Sequence, residues 1–363
     1  MSARDSIPSA LPSTAAIRWL LCQAASAATP GILLGELCNR LLAEALPIDR
    51  ASLTIASLDP LLAASRLRWE SSNGRVLEEV LFHGMAALEE PADIARTVRI
   101  PLAASSHEIE WLASGAAGFT SEQQRYLGAI SLVLAAPLQV VIERATVRNL
   151  LSAYLGRRSA DKVLAGTVRR GIGEMIEAVI WVSDLRDFTL LSERLSPEQV
   201  IIALNDCCAR LVGAVHPFGG EVLKFMGDGL LAIFPLAPQG TRAACAAALS
   251  AVRSARQGMA KLDEQRVRAG LPPLPFGVAL HLGAVMYGNI GAPDRLDFTA
   301  IGPAVNLTSR IEELCRKLDC QVLVSAAVAA QADEPLAPMG RHSIRGVKEA
   351  VTVFTLPELA APA

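Results

Sequence analysis

The sequence predicts an α+β protein built as two domains. Runs of strand length alternate with stretches of helical spacing along the chain, and 363 residues exceed what one ordinary core requires. A third observation divides them. Residues 143–172 are Arg-rich, carry Leu150, Leu151, Tyr154 and Leu155 at helical spacing, and end at Gly171 and Gly173.

Taking the elements in order, residues 1–12 are polar and rich in Pro and Ser, which predicts a disordered tail. Residues 15–46 place Ile17, Leu20, Leu21, Leu33, Leu37, Leu41 and Leu42 at helical spacing. Residues 51–57, 76–82 and 95–102 are apolar runs of strand length. Phe119, Thr120, Ser121 and Glu122 open a helix with Thr120 or Ser121 as its cap, and Leu127, Ile130, Leu134, Leu138, Val141 and Ile142 continue it. Pro137 is expected to kink or break that helix. The helix–strands–helix layout of residues 13–142 is similar to a GAF sensory domain, which would take an unknown small-molecule or protein signal. A generic α+β domain without a ligand accounts for the same pattern.

Composition narrows the function classes. A formal charge of −2 leaves no broad electrostatic footprint for nucleic acid or an anionic membrane, so any polyanion site must be local. Seven cysteines without CxxC or metal-type spacing fit buried thiols in a reducing compartment. The most apolar stretch, residues 127–142, is too short for a bilayer and contains Gly128, Pro137 and Gln139. The N-terminus shows no leader pattern, and Arg18 interrupts its first apolar run. A cytoplasmic protein with no nucleic-acid or membrane partner is the expectation.

The second domain reads as strand, two helices, hairpin, helix, strand pair, helix and short strands over residues 173–357, with a tail at 358–363. Three pieces of it carry chemistry. Residues 178–183 form a buried strand that ends at Asp184 and turns into a helix near Phe188. Taken alone, an aspartate capping a helix explains Asp184. Residues 221–234 read as two strands joined by a Met226-Gly227-Asp228-Gly229 turn, which would present Asp228 beside Asp184 if the strands are neighbours. Two close carboxylates repel each other unless a cation lies between them, which points to Mg²⁺ or Mn²⁺. Residues 297–310 end in a helix on which Asn306 and Arg310 are four apart and share a face, an arrangement suited to ribose and polyphosphate.

In this order, residues 183–189, 221–234, 281–291 and 298–310 resemble the class III adenylate and guanylate cyclase family over roughly residues 174–356. The resemblance implies a ferredoxin-like catalytic fold and active sites shared between two such domains. It implies two metal ions per site, Mg²⁺ or Mn²⁺, held by Asp184 and Asp228 with the Leu185 carbonyl. It gives Phe188 and its neighbours backbone amides for the triphosphate, Asn306 the ribose, and Arg310 the α-phosphate. Arg345 and Lys348 fall near the family's basic contact to the terminal phosphates. Lys224 and Thr299 stand where the family reads the base. A lysine can donate to adenine N1 and a threonine can accept from the 6-amino group, whereas a donor at the first position opposes guanine.

The resemblance therefore implies that ATP is converted to 3′,5′-cyclic AMP and pyrophosphate by two-metal chemistry in a homodimer, under control of the first domain. Guanylate cyclase is one alternative. The other is a catalytically impaired nucleotide-binding regulator, because Asp187 stands where the family usually has Gly. A side chain there would strain the turn and repel the triphosphate, or else Asp187 caps the following helix and points away.

Overall fold

The computed structural model describes residues 14–56, 62–82, 96–102, 107–167 and 169–360. The predicted tail at 1–12 lies outside them, as do Ser57 and Ala95, the ends of two predicted strands. The chain divides into two units, Met1–Leu150 and Leu151–Ala363.

In the first unit the helical spacing of residues 15–46 resolves into two helices, α1 (Ala15–Cys22) and α2 (Pro30–Ala43). Each starts on a threonine cap: the Thr14 hydroxyl accepts from the Ile17 amide, and Thr29 accepts from Ile32 ahead of Pro30. A five-stranded antiparallel sheet follows, formed by β1 (Ile48–Ala56), β2 (Leu62–Glu70), β3 (Val76–Phe82), β4 (Thr97–Pro101) and β5 (Glu108–Ala113) in the order β3-β2-β1-β5-β4. Helix α3 (Ser121–Leu155) begins with a box in which the Thr120 hydroxyl accepts from Gln123 and the Gln123 side chain accepts from the Thr120 amide, so Thr120 is the cap. Pro137 does not break it; the helix runs for 35 residues. The division between the units falls inside this helix, so the first part of the expected connector continues α3. Leu33, Leu37 and Leu41 of α2, Trp69 and Trp111 of the sheet, and Leu127, Ile130, Leu134 and Leu138 of α3 make one core.

After the last residues of α3, the second unit continues with a short helix, α4 (Arg157–Leu164). Then come β6 (Gly173–Leu185), α5 (Phe188–Arg194), α6 (Pro197–Val215), β7 (Glu221–Met226), β8 (Gly229–Pro235), α7 (Thr241–Arg268) and β9 (Phe276–Ala292). Within the sheet these strands lie in the order β9-β6-β8-β7, and every pair among them is antiparallel. That connectivity and order are ferredoxin-like. The chain continues through β10 (Arg295–Ile301), α8 (Pro303–Lys317), β11 (Val322–Ser325), α9 (Ala326–Ala329), β12 (Ala337–His342) and β13 (Val351–Thr355). β10 pairs with β9, while β11, β13 and β12 extend the sheet beyond it.

Alternation along β6 feeds two cores. Val179 and Trp181 face α6 and α7, where Ala203, Cys207, Leu211, Leu249 and Val252 close the layer. Ala178, Ile180 and Val182 face the other side with Leu223, Tyr287 and Phe298.

Helices α3 and α6 are long and apolar enough to cross a membrane by length and composition alone. In each, buried apolar residues belong to the cores just described. The stretch 127–142 is thus part of a far longer helix than its apolar length suggests. All seven cysteines are free thiols, and five are buried.

Candidate active site at the end of β6

Asp184 is the penultimate residue of β6, and by alternation it projects on the side of Ile180 and Val182. The β6–β8 ladder ends at the pair Ser183 and Leu230, which brings the β7–β8 turn to Asp184. Gly227 has φ 67°, the left-handed conformation a tight turn requires, and Asp228 follows it. Gly229 has a different reason. A Cβ there would lie 2.4 Å from the Ser183 carbonyl oxygen and 2.8 Å from Asp184 Oδ1, so only glycine lets the turn close on β6.

The two carboxyl groups adjoin. Burial, then the charge of Asp228 and a hydrogen bond between the two side chains, push the Asp184 carboxyl up to about 6. Arg316 and the Leu185 amide, which donates to the Asp184 carboxylate, oppose the shift. A half-buried acidic pair whose charges raise each other's cost fits a hard divalent cation. No set of three or more His, Cys, Asp or Glu side chains arranged for a metal is found among the described residues.

Glu312 is a third acid that sequence reasoning missed. It lies on α8, and its Oε1 sits 2.6 Å from where a Cβ on Gly277 would be, while Gly277 pairs with Asp184 across β6 and β9. Burial first, then the charge of Asp184, push its carboxyl up to about 7, against Arg316 and Arg186. The available signal was a glutamate set among Thr308, Ile311 and Cys315, the core-facing positions of that helix.

Lys224 is half-buried on β7, and its Nζ lies 3.5 Å from Asp297 Oδ2 on β10. Thr299, two residues along β10, is 2% exposed, and its hydroxyl finds no hydrogen-bond partner. Such an orphaned buried oxygen is costly unless a ligand satisfies it.

Asn306 and Arg310 lie on α8, away from its core-facing Ala304, Thr308 and Ile311. Asn306 is exposed, and Arg310 pairs at 2.6 Å with Glu313 of its own helix. Among the described residues no hydrogen bond or ion pair joins either to Asp184 or Asp228. Phe188 packs its ring on the α6–α7 core as the first residue of α5. Leu185 is buried, with its backbone in the β6–β9 ladder. Arg345 and Lys348 are exposed between β12 and β13.

Asp187 corrects one expectation. It occupies the cap position of α5 with φ 55° and ψ 29°, in the left-handed region, and its side chain makes no capping hydrogen bond. It is exposed, and the strained-turn alternative describes its backbone.

A family model described as the adenylate and guanylate cyclase catalytic domain matches residues 174–357, just over half of the chain. An adenylate cyclase of Anabaena cylindrica is 31% identical over 180 residues, covering 47% of this chain and 35% of that protein. Adenylate cyclase 1 of Rhizobium meliloti (strain 1021) is 31% identical over 180 residues, covering 49% of this chain and 27% of that protein. The matched stretch thus spans about a third of these relatives or less. A solved structure of a bacterial light-regulated adenylyl cyclase is 27% identical with a TM-score of 0.51, covering 63% of this chain and 66% of that one. The match begins at the second residue of β6 and ends just past β13, and on it the chain belongs to the adenylate and guanylate cyclase catalytic-domain family.

Proposed function

We propose that this protein is an adenylate cyclase that forms cyclic AMP and pyrophosphate from ATP as a homodimer. Catalytic domains of its family bind a nucleotide, depend on divalent cations and work as dimers. The observation that carries the reading is the adjoining pair Asp184 and Asp228, an acidic site short of countercharge. These two side chains, with the Leu185 carbonyl, would hold Mg²⁺ or Mn²⁺. Bound there, the cations would make the ribose 3′-hydroxyl a better nucleophile and neutralise charge on the triphosphate.

The choice of ATP rests on Lys224 and Thr299. Lys224 donates only, which suits adenine N1 and opposes the N1–H of guanine. The orphaned Thr299 hydroxyl would gain a partner in the adenine 6-amino group. Asn306 would orient the ribose, and Arg310 would stabilise charge at the α-phosphate. Among the described residues neither bonds to the aspartates of its own chain, and both lie off the core-facing side of α8, which is compatible with their donation by a second copy. An exposed apolar row across the sheet, Met175, Met286 and Ile301, supports the same conclusion, since these residues are cross-strand neighbours left to solvent. Arg345 and Lys348 would supply basic side chains for the terminal phosphates, and backbone amides near Phe188 would meet the triphosphate. We read the first unit as a GAF-like sensor. Its layout supports that, as does a cavity of about 1500 Å³ between α2, the sheet and α3, lined in part by Glu36, Leu67, His107 and Gln139.

A second reading, a nucleotide-binding regulator with impaired turnover, is favoured by the strained and exposed Asp187. Purified protein given Mn²⁺ with ATP and GTP in competition tests the proposal. Cyclic AMP should be the main product. Nucleotide binding without product would support the regulator, and cyclic GMP in excess would overturn the assignment of Lys224 and Thr299.

A further inference from the structure

The catalytic unit contains a buried polar cluster that the proposed chemistry does not use. Glu221, the first residue of β7, is 9% exposed, Tyr287 of β9 is 1% exposed, and Ser159 of α4 is fully buried. The Ser159 amide donates to Glu221 Oε1 at 3.1 Å, and its hydroxyl does so at 3.2 Å. The Tyr287 hydroxyl lies 2.9 Å from the Ser159 hydroxyl and donates to the Glu221 carboxylate at 3.2 and 3.3 Å. A carboxylate at such depth persists only if its partners are held in place, so the three groups fix one another. Burial pushes the Glu221 carboxyl up, and these hydrogen bonds oppose the shift.

The cluster joins three elements. Gly156, with φ 82°, lets the start of α4 lie against β7: a Cβ there would be 3.1 Å from the Val222 carbonyl oxygen and 3.3 Å from Glu221 Oε1. At the other end of α4, Lys162 pairs with Glu174, and its ammonium stands 5.6 Å from the centre of the Tyr287 ring. Tyr287 in turn meets Phe298 of β10 edge-on, with ring centroids 4.8 Å apart. Phe298 stands directly between Asp297, which pairs with Lys224, and Thr299. Glu221 is three residues before Lys224 on β7, across a register shift between Val222 and Lys224. The cluster therefore touches both strands that carry the base-reading side chains, and neither strand is the other's ladder partner.

We propose that Ser159, Glu221 and Tyr287 form a positioning triad that holds β7 and β10 at the separation at which Lys224 and Thr299 grip the nucleotide base, with α4 as its third support. The inference rests on the base-reading roles given above. The three residues touch no substrate and act through the two strands.

The test uses the full chain with Tyr287→Phe, Ser159→Ala and the double variant, alongside Lys224→Ala as a separate probe of base reading. KM, kcat and calorimetric affinity are measured for ATP and GTP, together with the thermal midpoint. Tyr287→Phe keeps the ring and its packing, so the fold should persist. Each single variant should raise KM and Kd for ATP by about three- to tenfold, the scale of one lost buried hydrogen bond, with a smaller change in kcat. The preference for ATP over GTP should fall by a similar factor. The double variant should be little worse than either single one, because the groups act as a unit. A lower thermal midpoint with wild-type ATP affinity and preference would overturn the triad, provided Lys224→Ala does change the preference. An unchanged preference in Lys224→Ala would overturn the base-reading assignment, and the triad's role with it.

Discussion

Gly229 and Asp184 meet with no room between them: a Cβ on the glycine would stand 2.8 Å from the carboxylate Oδ1. The β7–β8 turn can therefore present Asp228 to Asp184 only while position 229 has no side chain. Gly229→Ala should push the turn off the end of β6. The expected cost is about 1–3 kcal/mol in stability, the usual range for overpacking. Activity should fall by at least tenfold, because misplacement of about 1 Å costs a hundredfold. Urea unfolding and initial rates with Mn²⁺ and ATP check both.

The same pair should divide function from stability. Replacing one aspartate with asparagine removes a metal ligand but also relieves repulsion. Asp228→Asn should lower kcat/KM by about a thousandfold or more, the scale at which metal-assisted phosphoryl transfer loses its charge stabilisation. The metal-free variant should melt at a higher temperature than the wild type above pH 6, since the charge that pushes up the Asp184 carboxyl is gone. Calorimetry without and with Mn²⁺ separates the two effects. A variant that melts lower in both conditions would show that Asp228 stabilises the turn rather than opposing Asp184.

The pH dependence has a fixed sign. Asp184 is pushed from its ordinary 3.8 up to about 6, and Glu312 from 4.5 up to about 7, both chiefly by burial. Folded values above unfolded ones mean that the protonated forms are favoured in the native state. The stability each contributes is complete below its unfolded value and is lost as the pH rises through the folded value. The thermal midpoint of metal-free protein should therefore decline between about pH 4 and 7, less so in Asp228→Asn and in Glu312→Gln. Saturating Mn²⁺ should raise the midpoint most at the alkaline end of that window, because cations bind deprotonated carboxylates. A midpoint that rises across the window would overturn the assignment.

The homodimer makes a numerical prediction. If the aspartates and Arg310 of one site come from different chains, Asp228→Ala and Arg310→Ala should each be inactive alone. Random pairing of equal amounts puts half the chains in mixed dimers, each with one intact site, so the mixture should recover about a quarter of wild-type activity. No recovery in samples shown to exchange subunits would place Arg310 outside a shared site.

The aspartate pair was legible in the sequence because its parts are local. A strand ending at Asp184 and a Gly-Asp-Gly turn are each readable within a few residues, although only their combination pointed to a site. The order of elements in the second unit followed from the same patterns. What was hidden depended on long-range pairing. Glu312 reaches Asp184 only because α8 lies over β9 opposite the end of β6, and Ser159 and Tyr287 reach Glu221 from 62 and 66 residues away in the chain. The break between α1 and α2 was obscured because both helices supply leucines to one core, which makes their spacing read as continuous. Pro137 misled in the other direction, since tertiary packing on the first sheet holds the helix together around it.

Asp187 offers the last prediction, and it bears on whether turnover is impaired. Its φ of 55° belongs to the left-handed region, where a side chain costs free energy and glycine does not. With no capping hydrogen bond to offset that strain, Asp187→Gly should stabilise the protein by up to about 1 kcal/mol, the left-handed cost of roughly 1–2 kcal/mol less the chain entropy that glycine loses. It also removes a negative charge next to α5, where the triphosphate is proposed to lie, so KM for ATP should fall and do so more at low salt. Urea unfolding and ATP titrations at two ionic strengths separate strain from charge. A stability gain without a change in KM would mean that the Asp187 carboxylate lies away from the nucleotide and burdens only the backbone. Tighter ATP binding together with the first appearance of cyclic AMP would identify Asp187 as the residue that holds the wild-type site back.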